Sequence, residues 1–207
     1  MKISTITVGP VQTNVYLIGD EKTKEAALVD PADSPEEIMA MILKSGFDVK
    51  KILLTHGHFD HIAALNDIAE KTGAEIFISE KDVELLRDAG KNAAMLFFGM
   101  DIHSDLPITT VKNGDKITVG NLEITVQETP GHTKGSVCYF VEKAVFTGDT
   151  IFRDGYGRTD LYGGNYAALI KSITEKLLTL PDDLTVYPGH GGETTIGFEK
   201  KHNPYLN

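Results

Sequence analysis

At 207 residues the chain suits one large domain or two small ones, and its balance of 41% apolar and 24% charged residues is that of an ordinary soluble globular protein. A net charge of -10 argues against a nucleic-acid backbone as the main partner, and a single cysteine, Cys138, excludes an intrachain disulfide. No apolar run approaches the ~20 residues that span a bilayer, and the opening "MKISTITVGP" lacks the apolar stretch of a signal peptide. The expectation is a cytoplasmic protein with a small-molecule substrate, no nucleic-acid or membrane partner, and a monomeric or homodimeric state.

In chain order, "ISTITV", "NVYLIG" and "EAALVD" show the two-residue alternation and flanking turn residues of strands. "SPEEIMAMILKSG" reads as a helix, with Ser34 as N-cap, Pro35 in the first turn, Glu37 completing a capping box and Gly46 ending it. "KKILLT" is a short buried strand, and "HIAALNDIAEKTG" a second helix stopped at Gly73. "AEIFIS" is a strand and "EKDVELLRD" a third helix. From Ala89 to Pro107 neither period holds. Met95, Leu96, Phe97, Phe98 and Met100 form an apolar cluster there, read as a helix or loop covering the core, with a flap over a substrate pocket as the other reading.

Strands return at "DKITVG", "LEITVQETPG", "SVCYFVE" and "AVFTGD", with tight turns at Asn113-Gly114 and Gly120-Asn121. "NYAALIKSITEKLLTL", capped by Asn165, is the last long helix and "LTVYPGH" the last strand; the tail has room for one short helix. No linker or repeat divides the chain, so residues 1–207 are expected to form one domain, two sheets with helices on their outer faces.

The densest chemistry lies in "LLTHGHFDHIAAL", where His56, His58, Asp60 and His61 fall within six positions of a chain that has seven histidines. Neutral imidazoles and carboxylates are ligands for borderline divalent cations. His56 and His58 are two apart on an extended segment and point the same way, while Asp60 and His61 follow where the chain turns into a helix. Four donors so close suit half of a two-metal site. The alternative is a loop of solvated histidines with an aspartate N-cap. Three more candidates follow apolar strands, each preceded by glycine: His132 in "TPGHTKGS", Asp149 in "FTGDT" and His190 in "YPGH". Donors at the ends of several strands converge on one edge of a sheet, and glycine permits close backbone approach there.

"THGHFDH", "PGHTKGS", "FTGDT" and "YPGH", in this order and spacing, resemble the ligand motifs of the metallo-β-lactamase-fold hydrolases. Within that superfamily "FTGDTIFRDGYGRTDLYGG", "VDPAD" and "TNVYLI" are most similar to the glyoxalase II (hydroxyacylglutathione hydrolase) branch, and "TTIG" and "NP" in the tail resemble its short bacterial members. The resemblance implies an α/β (α+β) fold, a four-layer αββα sandwich with two divalent metal ions at one edge. It implies His56, His58 and His132 on one metal, Asp60, His61 and His190 on the other, and Asp149 bridging. Zinc is the expected metal, with iron or manganese also suited to an all-nitrogen-and-oxygen site.

The implied reaction is hydrolysis of a thioester by metal-bound hydroxide, with Asp60 and Asp149 as the catalytic carboxylates. Asp30, Thr55 and Thr133 are expected to orient the ligands, the threonines having strand-end and turn hydrogen bonds as their alternative roles. Arg158, in "GYGRTD", is placed either on a substrate carboxylate or in a salt bridge with Asp154 or Asp160. Tyr156 is expected to line the pocket, Cys138 to pack in the core, and His103 and His202 to be surface or structural. Two departures from the glyoxalase II pattern stand out. Only seventeen residues follow His190, where full-length enzymes carry a helical region that grips glutathione, and Ser136 replaces a further histidine. A persulfide dioxygenase using one iron is the other enzymatic reading on this fold, and a metal-binding regulatory module without turnover the non-enzymatic one.

Overall fold

The alternating segments of the first half pair in sequence order. A computed structural model describes residues 1–206. Its first sheet runs β1 (Lys2–Val8), β2 (Thr13–Gly19), β3 (Glu25–Val29), β4 (Asp48–Leu53), β5 (Glu75–Ser79) and β6 (Ile108–Val111) side by side. The first three pair antiparallel; β3 to β6 pair parallel. Parallel neighbours need crossovers. α1 (Pro35–Ser45) joins β3 to β4, and α2 (Phe59–Ile62) with α3 (Leu65–Thr72) joins β4 to β5. A 3₁₀ turn at Glu80–Asp82, α4 (Val83–Arg87) and α5 (Ala94–Phe98) lead to β6.

The second sheet contains β7 (Lys116–Val119), β8 (Leu122–Glu128), β9 (Val137–Val141) and β10 (Ala144–Gly148), then β13 (Thr185–Pro188) and β14 (Thr194–Thr195). A small hairpin, β11 (Ile151–Phe152) with β12 (Gly155–Tyr156), precedes α6 (Tyr166–Ser172); α6 continues as a π turn (Ile173–Leu177) before β13. α7 (Ile196–His202) follows β14.

Period-two patterning places three apolar layers. Along β2, Tyr16 and Ile18 face inward, where they meet Ile124, Tyr139 and Phe146 of the second sheet. Val15 and Leu17 face outward and pack with Ile38 and Met41 of α1 and Leu65 and Ile68 of α3. On the far side, Cys138, Val145 and Val186 pack with Leu169, Ile173, Leu177 and Ile196. Helix, sheet, sheet and helix therefore stack as the αββα sandwich. Among the described residues no helix is long and apolar enough to cross a membrane.

Several local expectations change in the folded chain. Ser34 takes φ 51° and makes no side-chain cap; its hydroxyl donates to Asp33 Oδ1 at 3.0 Å, so the capping box does not form. The second helix breaks at Ala63-Ala64 because the Ala64 N–H donates to the Pro31 carbonyl at 3.0 Å instead of continuing the helical ladder. The third helix opens as a 3₁₀ turn, with Ser79 Oγ accepting from the Lys81 N–H and Asp82 fully buried. β6, a four-residue edge strand, carries too little alternation to stand out in "PITTV". The Met95–Met100 cluster does not cover the core. Ala93 and Ala94 pack against Phe59, the Phe97 and Phe98 rings lie 6.1 and 5.3 Å from the Phe59 ring, and Leu96 is 70% exposed.

Phe146 has no solvent exposure and lies 5.2 Å from the Tyr16 ring and 5.1 Å from the Tyr187 ring, centroid to centroid. Phe146→Ala should lower stability by about 3–5 kcal/mol, read as a fall in the urea unfolding midpoint at unchanged slope.

Candidate metal centre

Four strands end on one edge of the sandwich. The loop after β4 carries His56, His58, Asp60 and His61; the loop after β8 carries His132; Asp149 follows β10 and His190 follows β13. All seven meet. His132 Nε2 lies 2.8 Å from His58 Nδ1 and 3.2 Å from His56 Nε2. Asp60 Oδ2 lies 3.2 Å from His190 Nε2 and 3.6 Å from His61 Nε2. Asp149 stands between these halves. Its Oδ1 is 3.3 Å from His61 Nε2, and its Oδ2 is 3.5 Å from His132 Nε2 and 3.6 Å from His190 Nε2. Ligand atoms in the triads His56–His58–His132, His56–His61–Asp149 and Asp60–His61–His190 all fall within 4.8 Å of one another.

Glycines make this crowding possible. A Cβ on Gly189 would sit 2.3 Å from Asp149 Oδ1 and 2.7 Å from the His61 ring. Gly148 takes φ +47°, and a Cβ there would meet Thr55 Oγ1 at 2.2 Å.

The surrounding hydrogen bonds set the tautomers. Asp30, at φ 50° just after β3, accepts from the Thr55 N–H (2.8 Å), the Thr55 hydroxyl (2.7 Å) and His61 Nδ1–H (2.9 Å). Because the Thr55 proton goes to Asp30, Thr55 Oγ1 accepts from His56 Nδ1–H at 3.0 Å. His132 Nδ1–H donates to the Arg158 carbonyl at 2.7 Å. His56 and His132 therefore each present a bare Nε2 to the interior, and His61 turns its Nε2 toward Asp149. Two such lone pairs 3.2 Å apart, on His56 and His132, repel unless a cation lies between them. His61 Nε2 and Asp149 Oδ1 are buried there with no hydrogen-bond partner. The donor set and its orphaned atoms fit divalent metal ions.

Electrostatics divides the cluster. Burial, with the neighbouring imidazoles, pushes His56 well below the usual histidine range and His58 down to about 3. Burial opposes protonation of His61 too, but Asp60, Asp149 and Asp30 raise it well above its usual value, and His190 is raised mainly by its hydrogen bond to Asp60. Asp149 is held well below the usual carboxylate range, and Asp60 is lowered, His61 being the largest charge acting against burial in both.

Sequence reasoning missed several supports. Asp82, fully buried, accepts from the Gly57 N–H (3.1 Å), the Thr133 hydroxyl (2.6 Å) and the Gly135 N–H (2.7 Å), tying the first histidine loop to the His132 loop. Thr133 donates its own N–H to Ser136 Oγ at 3.0 Å. The His190 loop is pinned by Asn14 Nδ2, which donates to the Pro188 and Gly191 carbonyls, and by the Tyr16 hydroxyl on Pro188 at 2.6 Å. Nothing local marks Asp82, which reads as one acid on a polar helix.

A cleft of about 600 Å³ opens over the cluster, walled by Phe59, Phe97, Phe98, Phe152 and Leu161. Arg158 lines it, pairing through Nε and Nη2 with Asp160 at 2.7 and 2.8 Å and lying 5.5 Å over the Phe97 ring. Tyr156 is not part of the lining, contrary to expectation. It packs on the outer apolar layer with its ring against Tyr166 and Tyr205, because β12 turns that side chain away from the edge. Cys138 is fully buried in the same outer layer, and burial pushes its thiol up to about 11. His103 pairs with Asp101 at the surface, and His202 is exposed.

An αββα sandwich with histidines and aspartates gathered at one edge defines a class of metal-dependent proteins. The model of the metallo-beta-lactamase superfamily matches residues 8–190, and the chain belongs to that superfamily. It is 38% identical to a probable metallo-hydrolase, YqgX, of Bacillus subtilis, over all of this chain and 98% of that protein. It is 37% identical to the hydroxyacylglutathione hydrolase GloC of Haemophilus influenzae, over all of this chain and 99% of that one. Among solved structures, the B3 metallo-beta-lactamase BLEG-1 superposes with a TM-score of 0.95 at 35% identity, covering both chains fully. TTHA1623 in a di-iron-bound form superposes at 0.88 with 34% identity, covering 98% of this chain and all of that one.

Asp82→Ala should remove about 3 kcal/mol of stability, because three buried donors lose their acceptor; chemical denaturation measures it. In the metal-free protein the raised His61 and His190 hold protons that a metal must displace. Metal affinity should therefore rise with pH and fall as pH drops and these sites fill, and binding should release protons. Calorimetry in buffers of different ionisation enthalpy counts them.

Proposed function

We propose that the protein is a hydrolase of the glyoxalase II kind, cleaving S-acylglutathione or a related thioester with two divalent metal ions. The observation that carries this reading is the pair of donor sets on either side of Asp149, His56–His58–His132 and Asp60–His61–His190. The relation to GloC supports the thioester, and the di-iron neighbour supports iron beside zinc and manganese as a candidate metal.

When bound, the metals supply Lewis acidity, lowering the pKa of water and polarising a carbonyl oxygen. The chain's own residues do the rest. Asp30, Thr55 and the Arg158 carbonyl hold the imidazole nitrogens in their donating tautomers. Asp60 Oδ2 and Asp149 Oδ2 face the cluster interior and would accept a hydrogen bond from a water there, orienting it for attack. Thr13 donates to Asp60 Oδ2 at 3.3 Å and fixes its orientation. The aromatic walls exclude bulk water and strengthen each electrostatic contact. No serine or cysteine lines the cleft, so attack by water fits better than a covalent acyl-enzyme. A thiolate leaves readily, so no separate general acid is needed.

A second reading rests on a different grouping of the same side chains. His56, His61 and Asp149 form a two-histidine, one-carboxylate triad, the donor set of mononuclear iron oxygenases. It favours a persulfide dioxygenase.

Metal analysis combined with a panel of S-lactoylglutathione, simple thioesters and a persulfide separates these readings. Two metal equivalents with thioester turnover support the hydrolase. One iron with oxygen consumption supports the dioxygenase, and bound metal without turnover of any substrate points to a non-catalytic module. On the substrate that turns over, His58→Ala should lower kcat/KM by roughly 100-fold or more, since it removes a direct metal donor; unchanged turnover would sink the ligand assignment.

A further inference from the structure

A second cavity, of about 310 Å³, opens beside the metal cleft. Its walls are Val8 and Val11 from the β1–β2 region, Phe59 on α2, and Phe98, Met100 and Ile102 in and after α5. Val11, Phe59, Asp60 and Phe98 line both cavities, so the second adjoins the space over the cluster.

The lining also says what cannot bind. No lysine, arginine or histidine faces the cavity; its charged groups are Asp33 and Asp60. Asp33 already accepts from the Ser34 N–H and hydroxyl through Oδ1, and Asp60 belongs to the metal cluster. A carboxylate entering this space would meet two acids and no cation, so a neutral apolar group is selected. The exposed apolar side chains Val11, Phe97, Phe98 and Met100 line one or both of these cavities. Clustering of this kind on a surface marks a binding site.

We propose that this cavity is a subsite for an uncharged hydrocarbon chain of the substrate, which makes the preferred thioester an apolar one. The inference rests on the hydrolase reading for the chemistry and on the cavity for the chain. An apolar cavity of about 150 Å³ holds one benzene ring; at twice that volume this one accepts a straight chain of roughly eight carbons. The chain enters past Val11 and Phe98 and ends against Val8 and Ile102, while the scissile carbonyl stays at the cluster. Ala63 lies on the cavity wall where the broken second helix turns, and its single methyl leaves that space open.

The test uses the metal-loaded protein and two thioester series. One lengthens the acyl chain from acetyl to decanoyl on N-acetylcysteamine; the other lengthens the thiol chain on a fixed acetyl group. In one series kcat/KM should climb about fourfold per methylene until the cavity is full, and that series identifies which side of the scissile bond the cavity serves. Ala63→Leu, which fills the space, and Met100→Glu, which adds a charge at a half-exposed position, should each flatten the slope. Binding of 2-butanone and 2-octanone to the metal-free protein, followed by calorimetry, gives a readout that needs no turnover. Octanone should bind more tightly, and both variants should reduce the difference. Graded ketone binding without hydrolysis of any thioester would keep the subsite and overturn the hydrolase reading. Turnover indifferent to chain length in both series, with equal binding of the two ketones, would overturn the subsite and leave the hydrolase reading intact.

Discussion

The metal centre depends on one buried carboxylate. Asp30 takes a left-handed backbone conformation at the end of β3, and its two oxygens hold the Thr55 N–H, the Thr55 hydroxyl and His61 Nδ1. Through Thr55 it also fixes His56. Two of the seven candidate ligands are thereby oriented by a residue that need not touch a metal. A buried carboxylate is tolerable because its lone pairs are satisfied, and the strain at φ 50° is of the kind stored where geometry must be held.

The same logic recurs at greater reach. Asp82 ties Gly57 to Thr133 and Gly135, so the loop after β4 is bonded to the loop after β8 through one carboxylate. Asn14 and Tyr16, both on β2 of the first sheet, hold carbonyls of the His190 loop at the end of the second. The sandwich thus carries polar cross-links between sheets at the one edge where the apolar layer ends. These bonds hold in place a crowd of imidazoles and carboxylates in which the His56 and His132 lone pairs repel, while His61 and His190 pair with Asp60 and Asp149.

Around this polar centre the cleft is aromatic. The protein is acidic overall, yet Phe59, Phe97, Phe98, Phe152 and Leu161 wall the approach, and Arg158 in the lining is matched by Asp160. Such walls lower the local dielectric, which strengthens the field of any bound ion and favours substrates with hydrocarbon surface. The short helix that was read as core cover supplies part of this wall. Ala93 and Ala94 pack against Phe59, the Phe97 and Phe98 rings lie against its ring, and Leu96 is left exposed.

How much was legible follows from the range of each interaction. The sequence by itself determined the longer strands and the main helical segments, since burial on two faces writes a two-residue or helical period into the chain, and Asn165 does cap α6 through the Ala168 N–H as its position implies. It also determined the seven candidate ligands, because so many donors at glycine-marked strand ends have few other uses. Only the tertiary structure decided the rest. Ala64 left its helix for the Pro31 carbonyl, Ser34 turned to Asp33, Asp82 became a buried tie, and Tyr156 faced away from the cleft. In most of these a polar group is satisfied, or a ring packed, by a partner distant in sequence or outside its expected element. A period or a local motif cannot register such a partner, since the contact exists only once the sheets and loops have met.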